Sequence, residues 1–381
     1  MTTPIALDHG RQGRLSPDRR RLPAGREARR QAVARTTHPF GRISLDELNA
    51  ETSATGLATP RTSNREFFVR SHFPTPEIRA SSWRLSVGGE VKKPRRWSLS
   101  ELKKLPRAQV VATLECAGNS RRRLSSVAEG ELRWGDRAVG SAVWQGPSLS
   151  TLLANAEPHP NAREVVFSGA DKGGHTAPTR RFSRSLRVAL ADRGAEVLVA
   201  TEMNGSPLPP EHGGPARLVV PGWYGMAWVK WLTRIDLRRT PFRGYYQTSR
   251  YVYRSSRKGR TVLRPVTRLR VKSLVVAPMD GERLARGRAT LIRGRAWSGS
   301  GPVAQVEVDV GSGWELARVT LGDGPYDWAN WTYRWTPSRV GPATVRVRAT
   351  DTRGVTQPAQ PLENDFQYGT NSIHRVGVVV T

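Results

Sequence analysis

Between about Val271 and Val380 the chain alternates apolar and polar residues with a period of two. Val306, Val308 and Val310 stand against Gln305, Glu307 and Asp309, and Val345 and Val347 against Arg346 and Arg348. Successive strand side chains point to opposite faces, so this alternation describes strands with one face buried. Asp280-Gly281, Gly299-Ser300-Gly301 and Asp323-Gly324-Pro325 punctuate the runs as turns. The expectation is an all-β antiparallel sandwich over residues 271–381. Trp297, Trp314, Trp328, Trp331 and Trp335 fall here, and most are expected in its core.

Residues 46–265 have a different texture. Strand-like runs at Gln109–Leu114, Glu164–Phe167, Glu196–Ala200 and Arg217–Val220 alternate with brief helical ones, such as Leu149–Leu153 after the turn at Gly146-Pro147. Short mixed elements with many Gly and Pro loops predict an α+β domain whose site is assembled from loops. Residues 1–45 are polar, with arginines from Arg11 to Arg42 facing only Asp8, Asp18 and Glu27 as acids. Such a segment buries too little apolar area to fold alone and reads as a disordered, solvated tail.

The 381 residues suffice for two or three domains, and the net charge of +29 makes the surface strongly basic. No run of eighteen apolar residues offers a membrane span. Arg19-Arg20-Arg21 resembles the start of an export signal, but no apolar stretch follows, so the expected location is cytoplasmic. A basic nucleic-acid-binding protein is a distant alternative. No zinc finger, RNP-type run or helix-turn-helix supports it, and the charge is dispersed.

The chain has one cysteine, Cys116, which excludes an internal disulfide or a Cys-rich zinc site. It lies in Thr113-Leu114-Glu115-Cys116-Ala117-Gly118-Asn119-Ser120-Arg121-Arg122. Gly118 and Asn119 suit a tight turn, and the arginines add positive charge. These surroundings are expected to favour the thiolate, the form that binds a soft metal.

That run resembles the molybdenum-ligating segment L-x-C-A-G-N-x-R of the sulfite oxidase family. Further elements follow in family order. Asn64-Arg65-Glu66-Phe67-Phe68-Val69-Arg70-Ser71-His72-Phe73-Pro74 resembles F-x-R-N-H-x-P. Thr201 to Arg217 is similar to E-M-N-G-x-P-L-P-x-x-H-G-x-P-x-R, and Val220 to Leu232 to P-G-x-x-G-x-x-x-V-K-W. Gly294-Arg295-Ala296-Trp297-Ser298-Gly299 resembles the family's C-terminal immunoglobulin-like domain, and Asn371 to Val376 matches more loosely. The implied architecture is an α+β molybdopterin-binding domain followed by an immunoglobulin-like sandwich that forms a homodimer.

The resemblance implies a molybdenum cofactor with Cys116 as the metal ligand. It assigns the pterin to His72, Asn119, His212, Arg217, Lys230 and backbone donors near Gly222 and Gly225. Arg70, Arg121, Trp134 and Tyr251 are implied at the substrate, a small anionic sulfur compound. Tyr245, Tyr246 and Tyr253 crowd Tyr251, so a small shift of alignment would select another. The expected reaction is oxidation of sulfite to sulfate by oxygen-atom transfer. No haem, FAD or NAD segment is recognised, so electrons are expected to leave to an external acceptor, an acidic cytochrome or oxygen. Sulfoxide reduction is the alternative on the same scaffold.

The sequence departs from the family pattern in three places. Ser71 replaces an Asn beside His72, and Ala227 and Trp228 stand where many members carry an arginine. A further substrate arginine is expected from the C-terminal domain, but Asn364-Asp365-Phe366-Gln367-Tyr368-Gly369 occupies its place. The cofactor is thus better supported than the substrate.

Overall fold

The computed structural model describes residues 42–44, 48–127, 129–173, 180–191, 194, 196–257, 259–362 and 364–381. Most of the segment expected to be a tail lies outside them. Its end does not behave as a tail: Arg42–Ser44 pair with Asn49–Ala50, and Ala50 exchanges two backbone hydrogen bonds with Val69. The ladder is thereby tied to the stretch that carries Arg70 and His72.

Two sheets frame the first part of the chain. In the five-stranded sheet the order is Arg95–Ser98, Arg84–Gly89, Leu232–Arg238, Glu164–Gly173, Arg180–Arg187, with one parallel pair, Arg84–Gly89 with Leu232–Arg238. The four-stranded sheet pairs Arg107–Glu115 with Val139–Pro147 and ends in the short strands Glu202–Met203 and Ser206–Pro207. Helices are few and short. Leu149–Ala156 is helical because Ser148 caps the Thr151 N–H and Leu149, Leu152, Leu153 and Ala156 share one buried face.

The C-terminal part is the expected two-sheet structure. Lys272–Ala277, Thr290–Trp297, Ala329–Trp335 and Arg318–Thr320 form one sheet. Glu282–Leu284, His374–Val380, Gly341–Asp351, Val303–Asp309 and Glu315–Leu316 form the other. Ile292, Val306, Val308, Trp331, Val345 and Val347 fill the space between them. Two details differ from expectation. Glu282–Leu284 runs parallel to His374–Val380, so the sheet is not purely antiparallel. The alternation also stops at Asp309, whose buried carboxylate accepts the Gly311 N–H at 2.7 Å and turns the chain before Val310.

Three of the five tryptophans here are fully buried, and two of those, Trp297 and Trp328, belong to the core of the first part. Tyr368 joins them there. Trp314 is half-buried beneath the Arg348 guanidinium, 4.3 Å from its ring centre. The sandwich thus contributes aromatic side chains to the core that surrounds the cysteine.

Candidate active site

The strand Arg107–Glu115 is solvent-exposed where it starts and buried over its last four residues, so it delivers Cys116 into the interior. The Cys116 N–H donates to Ala138 O at 2.9 Å. Asn119 closes the following turn: its Nδ2 donates to Glu115 Oε1 at 3.0 Å and its Oδ1 accepts the Ala138 N–H at 3.0 Å. Ser120 takes the left-handed conformation (φ 71°) that starts the Arg121–Arg123 turn. Burial pushes the Cys116 thiol up, against the opposing pull of Arg70, the Gly118 N–H and Arg121. The expected thiolate-favouring balance is therefore reversed in the folded chain, because desolvation outweighs the nearby cations.

Cys116 opens onto a cavity with about 650 Å³ of free space, counted out to its mouth. Arg70, His72, His212, Arg217, Gly225, Lys230 and Tyr251 line it with the cysteine. Asn119, Arg121, Trp134 and Gly222 are not part of the lining. Asn119 holds the cysteine turn. Trp134 is fully buried, its carbonyl accepting the Arg122 N–H at 3.0 Å. Gly222 (φ 77°) meets the C-terminal part, with its carbonyl accepting the Leu269 N–H at 2.9 Å.

Arg217 is buried without a carboxylate partner. Its Nη1 donates to His212 O at 2.9 Å and Nη2 to Trp228 O at 3.1 Å, while Nε has no partner. The guanidinium lies over the Trp144 ring at 5.0 Å, and burial lowers its pKa to about 9. Trp228, one of the departures from the family pattern, therefore builds the arginine's seat. Lys230 Nζ donates to Ser71 Oγ at 2.7 Å and to Glu211 O at 2.9 Å. Burial first, then Arg217, holds Lys230 well below the usual lysine range. Ser71 thus supplies the lysine with an acceptor where the family has an amide.

Asp171, from the strand Glu164–Gly173, also lines the cavity, and its Oδ1 has no partner. Burial raises its carboxyl to about 6 against the pull of Lys230. Sequence reasoning missed it: Asp171-Lys172-Gly173 reads as an ordinary strand end, and only the fold turns the carboxylate inward.

Tyr251 and His72 form the opposite wall, with Tyr251 Oη 2.8 Å from His72 Nε2. His72 stacks on Phe182 at 5.0 Å. Burial, Arg70, Arg250 and Lys230 hold the imidazole well below its ordinary value, and burial raises Tyr251 to about 12. Both groups are thus neutral at pH 7, and the imidazole tautomer sets which of the two donates. Among the four crowded tyrosines only Tyr251 faces the cavity. Arg70 lines the same side and donates to Asn49 Oδ1 at 3.2 Å.

Among the described residues no cluster of three His, Cys, Asp or Glu side chains could hold a metal ion. A metal here needs ligands from outside the chain, as a dithiolene-bearing cofactor would supply. The donor set fits one. Buried Arg217, with no carboxylate beside it, suits an anionic ligand, and its partnerless Nε together with Asp171 Oδ1 suits a ring with both acceptors and donors.

Residues 72–246 match the oxidoreductase molybdopterin binding domain, and residues 264–381 the Mo-co oxidoreductase dimerisation domain. Mitochondrial sulfite oxidase of Homo sapiens is 33% identical over 393 residues, covering 97% of this chain and 71% of that protein. The chain belongs to the sulfite oxidase family. Within this family's wider reach, inducible nitrate reductase [NADH] 2 of Glycine max is 28% identical over 339 residues, covering 81% of the chain and 38% of that protein. The sulfane dehydrogenase SoxCD of Paracoccus pantotrophus has the same fold, with a TM-score of 0.76 at 26% identity, covering 96% of this chain and 92% of that one. Like other members of the sulfite oxidase family, the protein is a molybdopterin oxidoreductase.

Proposed function

We propose that this protein oxidises sulfite to sulfate and passes two electrons to an external acceptor, either an acidic cytochrome or oxygen. One observation carries the reading: a single buried thiol shares a cavity with buried Arg217, half-buried Lys230, Arg70 and the neutral Tyr251–His72 pair. When bound, the molybdenum cofactor supplies oxygen-atom transfer and the two-electron redox change. Cys116 Sγ offers the soft ligand. Arg217, Lys230 and His212 hold the anionic pterin, and Asp171 Oδ1 accepts from its ring donors. Arg70 attracts the sulfite anion, and Tyr251, accepting from His72 when Nε2 carries the imidazole proton, keeps its own O–H for a substrate oxygen. Overall, sulfite and water become sulfate, two protons and two electrons. Residues 264–381 would join two copies of the chain.

A second reading is oxidation of another sulfur compound, as the name of the Paracoccus sulfane dehydrogenase suggests. It is favoured by the aromatic Phe366 and Tyr368 where a substrate arginine was expected. The deciding experiment is sulfite-dependent ferricyanide reduction by protein shown to carry molybdenum. Turnover supports the first reading. Its absence from loaded protein sinks it and leaves the second.

A further inference from the structure

Arg121, implied by resemblance at the substrate, is not a free cation. Its Nη2 lies 2.6 Å from Glu131 Oε2, and the other oxygen, Glu131 Oε1, lies 2.5 Å from Arg250 Nη2. The Arg121 and Glu131 side chains are 3% and 6% exposed, so solvent does little to screen the contact. The clasp sits one ring layer from the cavity. Arg121 lies over Tyr368 at 5.1 Å, and Tyr368 stacks on cavity-lining Tyr251 at 4.9 Å. Arg121 Nη2 also donates to Phe366 O at 2.9 Å, while the Gly369 N–H donates to Ala117 O at 2.7 Å beside the cysteine. The guanidinium presses on the cysteine turn so closely that a Cβ at Gly118 would come within 2.7 Å of Arg121 Nη1.

We propose that Glu131 is a specificity-determining residue that acts through Arg121. By clasping Arg121 and Arg250 it withholds cationic charge from the cavity and favours a sulfur substrate with less charge than sulfite at its reacting end. Two cations with one carboxylate leave one net positive charge where two would otherwise act. The aromatic layer of Tyr368 and Phe366 replaces a small-anion contact with a surface suited to a larger, less charged body. The proposal rests on the reading of the cavity as a site of sulfur oxidation.

The test uses full-length, molybdenum-loaded Glu131→Gln and Glu131→Asp. The readouts are sulfate binding by calorimetry, the sulfite KM and kcat, and the thermal midpoint. Glu131→Gln should bind sulfate about tenfold more tightly and lower the sulfite KM about as much, the size expected for one partly screened charge acting across a ring layer. The kcat should change little, and Glu131→Asp should behave as the parent protein. Equal sulfate affinity in parent and Glu131→Gln overturns the proposal. If Glu131→Gln fails to fold, Arg250→Gln substitutes for it: this leaves the carboxylate to Arg121 alone, so sulfate should bind about tenfold more weakly, and unchanged binding overturns the proposal. Lack of sulfite turnover by the parent, with the sulfate effect present, would remove the sulfite reading and leave this one standing.

Discussion

Lys272 Nζ lies 2.8 Å from Glu115 Oε1, and neither side chain has appreciable contact with solvent. Lys272 begins the first strand of the sandwich, and Glu115 precedes Cys116 in the chain. The C-terminal part therefore reaches the residue next to the metal ligand candidate. Trp297 Nε1 completes the arrangement by donating to Glu115 Oε2 at 2.9 Å, and Asn119 shares Oε1. A buried carboxylate with this many donors fixes the end of the strand, and so the direction in which the thiol points.

Removing the lysine should expose that dependence. Lys272→Met leaves Glu115 buried with neutral donors only, and breaking a buried pair in this way costs about 3–5 kcal/mol. Adding Glu115→Gln to Lys272→Met should recover much of the loss, since no buried charge then lacks its partner. Urea unfolding of the two variants checks this; equal stability of the single variant and the parent protein would sink the idea.

Cys116→Ser separates metal ligation from folding. The side chain is small and buried, its backbone N–H bonds to Ala138 O, and Asn119 secures the turn independently of the sulfur. The variant should keep its thermal midpoint and its pterin content. It should lose turnover by more than about a hundredfold, the upper range for outer-shell ligand partners. Undiminished turnover would remove Cys116 from the site.

Local pattern carried much of this fold. The valine alternation marked the sandwich, and the leucine spacing at Leu149–Leu153 after Gly146-Pro147 marked the helix that runs to Ala156, because each depends on neighbours in sequence. Burial of Trp297 and Trp328 could be expected, but not their membership in the first core, which requires two distant parts of the chain to meet. At the site, residues picked by motif fall into two physical groups. Arg217 and Lys230 line the cavity, whereas Asn119 and Arg121 face backbone carbonyls and carboxylates around it. A motif records that a position matters without recording which way its side chain points. Asp171 and Glu131 carried no local signal, since each matters through cations on other segments, Lys230 for Asp171 and Arg121 and Arg250 for Glu131.

The pH dependence of stability has a defined sign at His374. Its Nδ1 accepts the Val275 N–H at 3.0 Å, so the neutral ring carries its proton on Nε2, 3.4 Å from Asp136 Oδ2. Burial lowers its pKa, Arg123 and Lys272 add to the shift, and Asp136 opposes it. The unfolded chain then takes up this proton first as pH falls. The contribution is constant above about 6.5 and is lost below it, at up to about 1.4 kcal/mol per pH unit until the folded value is reached. His72 acts in the same sense. Asp171, raised to about 6, acts oppositely, because there the folded chain takes up the proton first. Comparing the parent protein with His374→Gln cancels those two groups. The variant should be less stable at pH 7.5, and the gap should narrow at pH 5.5. A gap of equal size at both values would contradict the assignment.

Electron transfer out of the protein offers the last test. The chain carries 61 basic against 32 acidic residues. Such a field raises encounter rates with an acidic protein and lowers them with a basic one, and salt screens both effects. Reduction of an acidic cytochrome should therefore be about tenfold or more faster than that of a basic one at low ionic strength. The two rates should converge as salt rises toward about 1 M, where the screening length falls to about 3 Å. Stopped-flow reduction of the two cytochromes across that range measures the difference directly. Equal, salt-insensitive rates would mean that the acceptor docks without help from the protein's net charge, and would favour a small neutral oxidant such as oxygen.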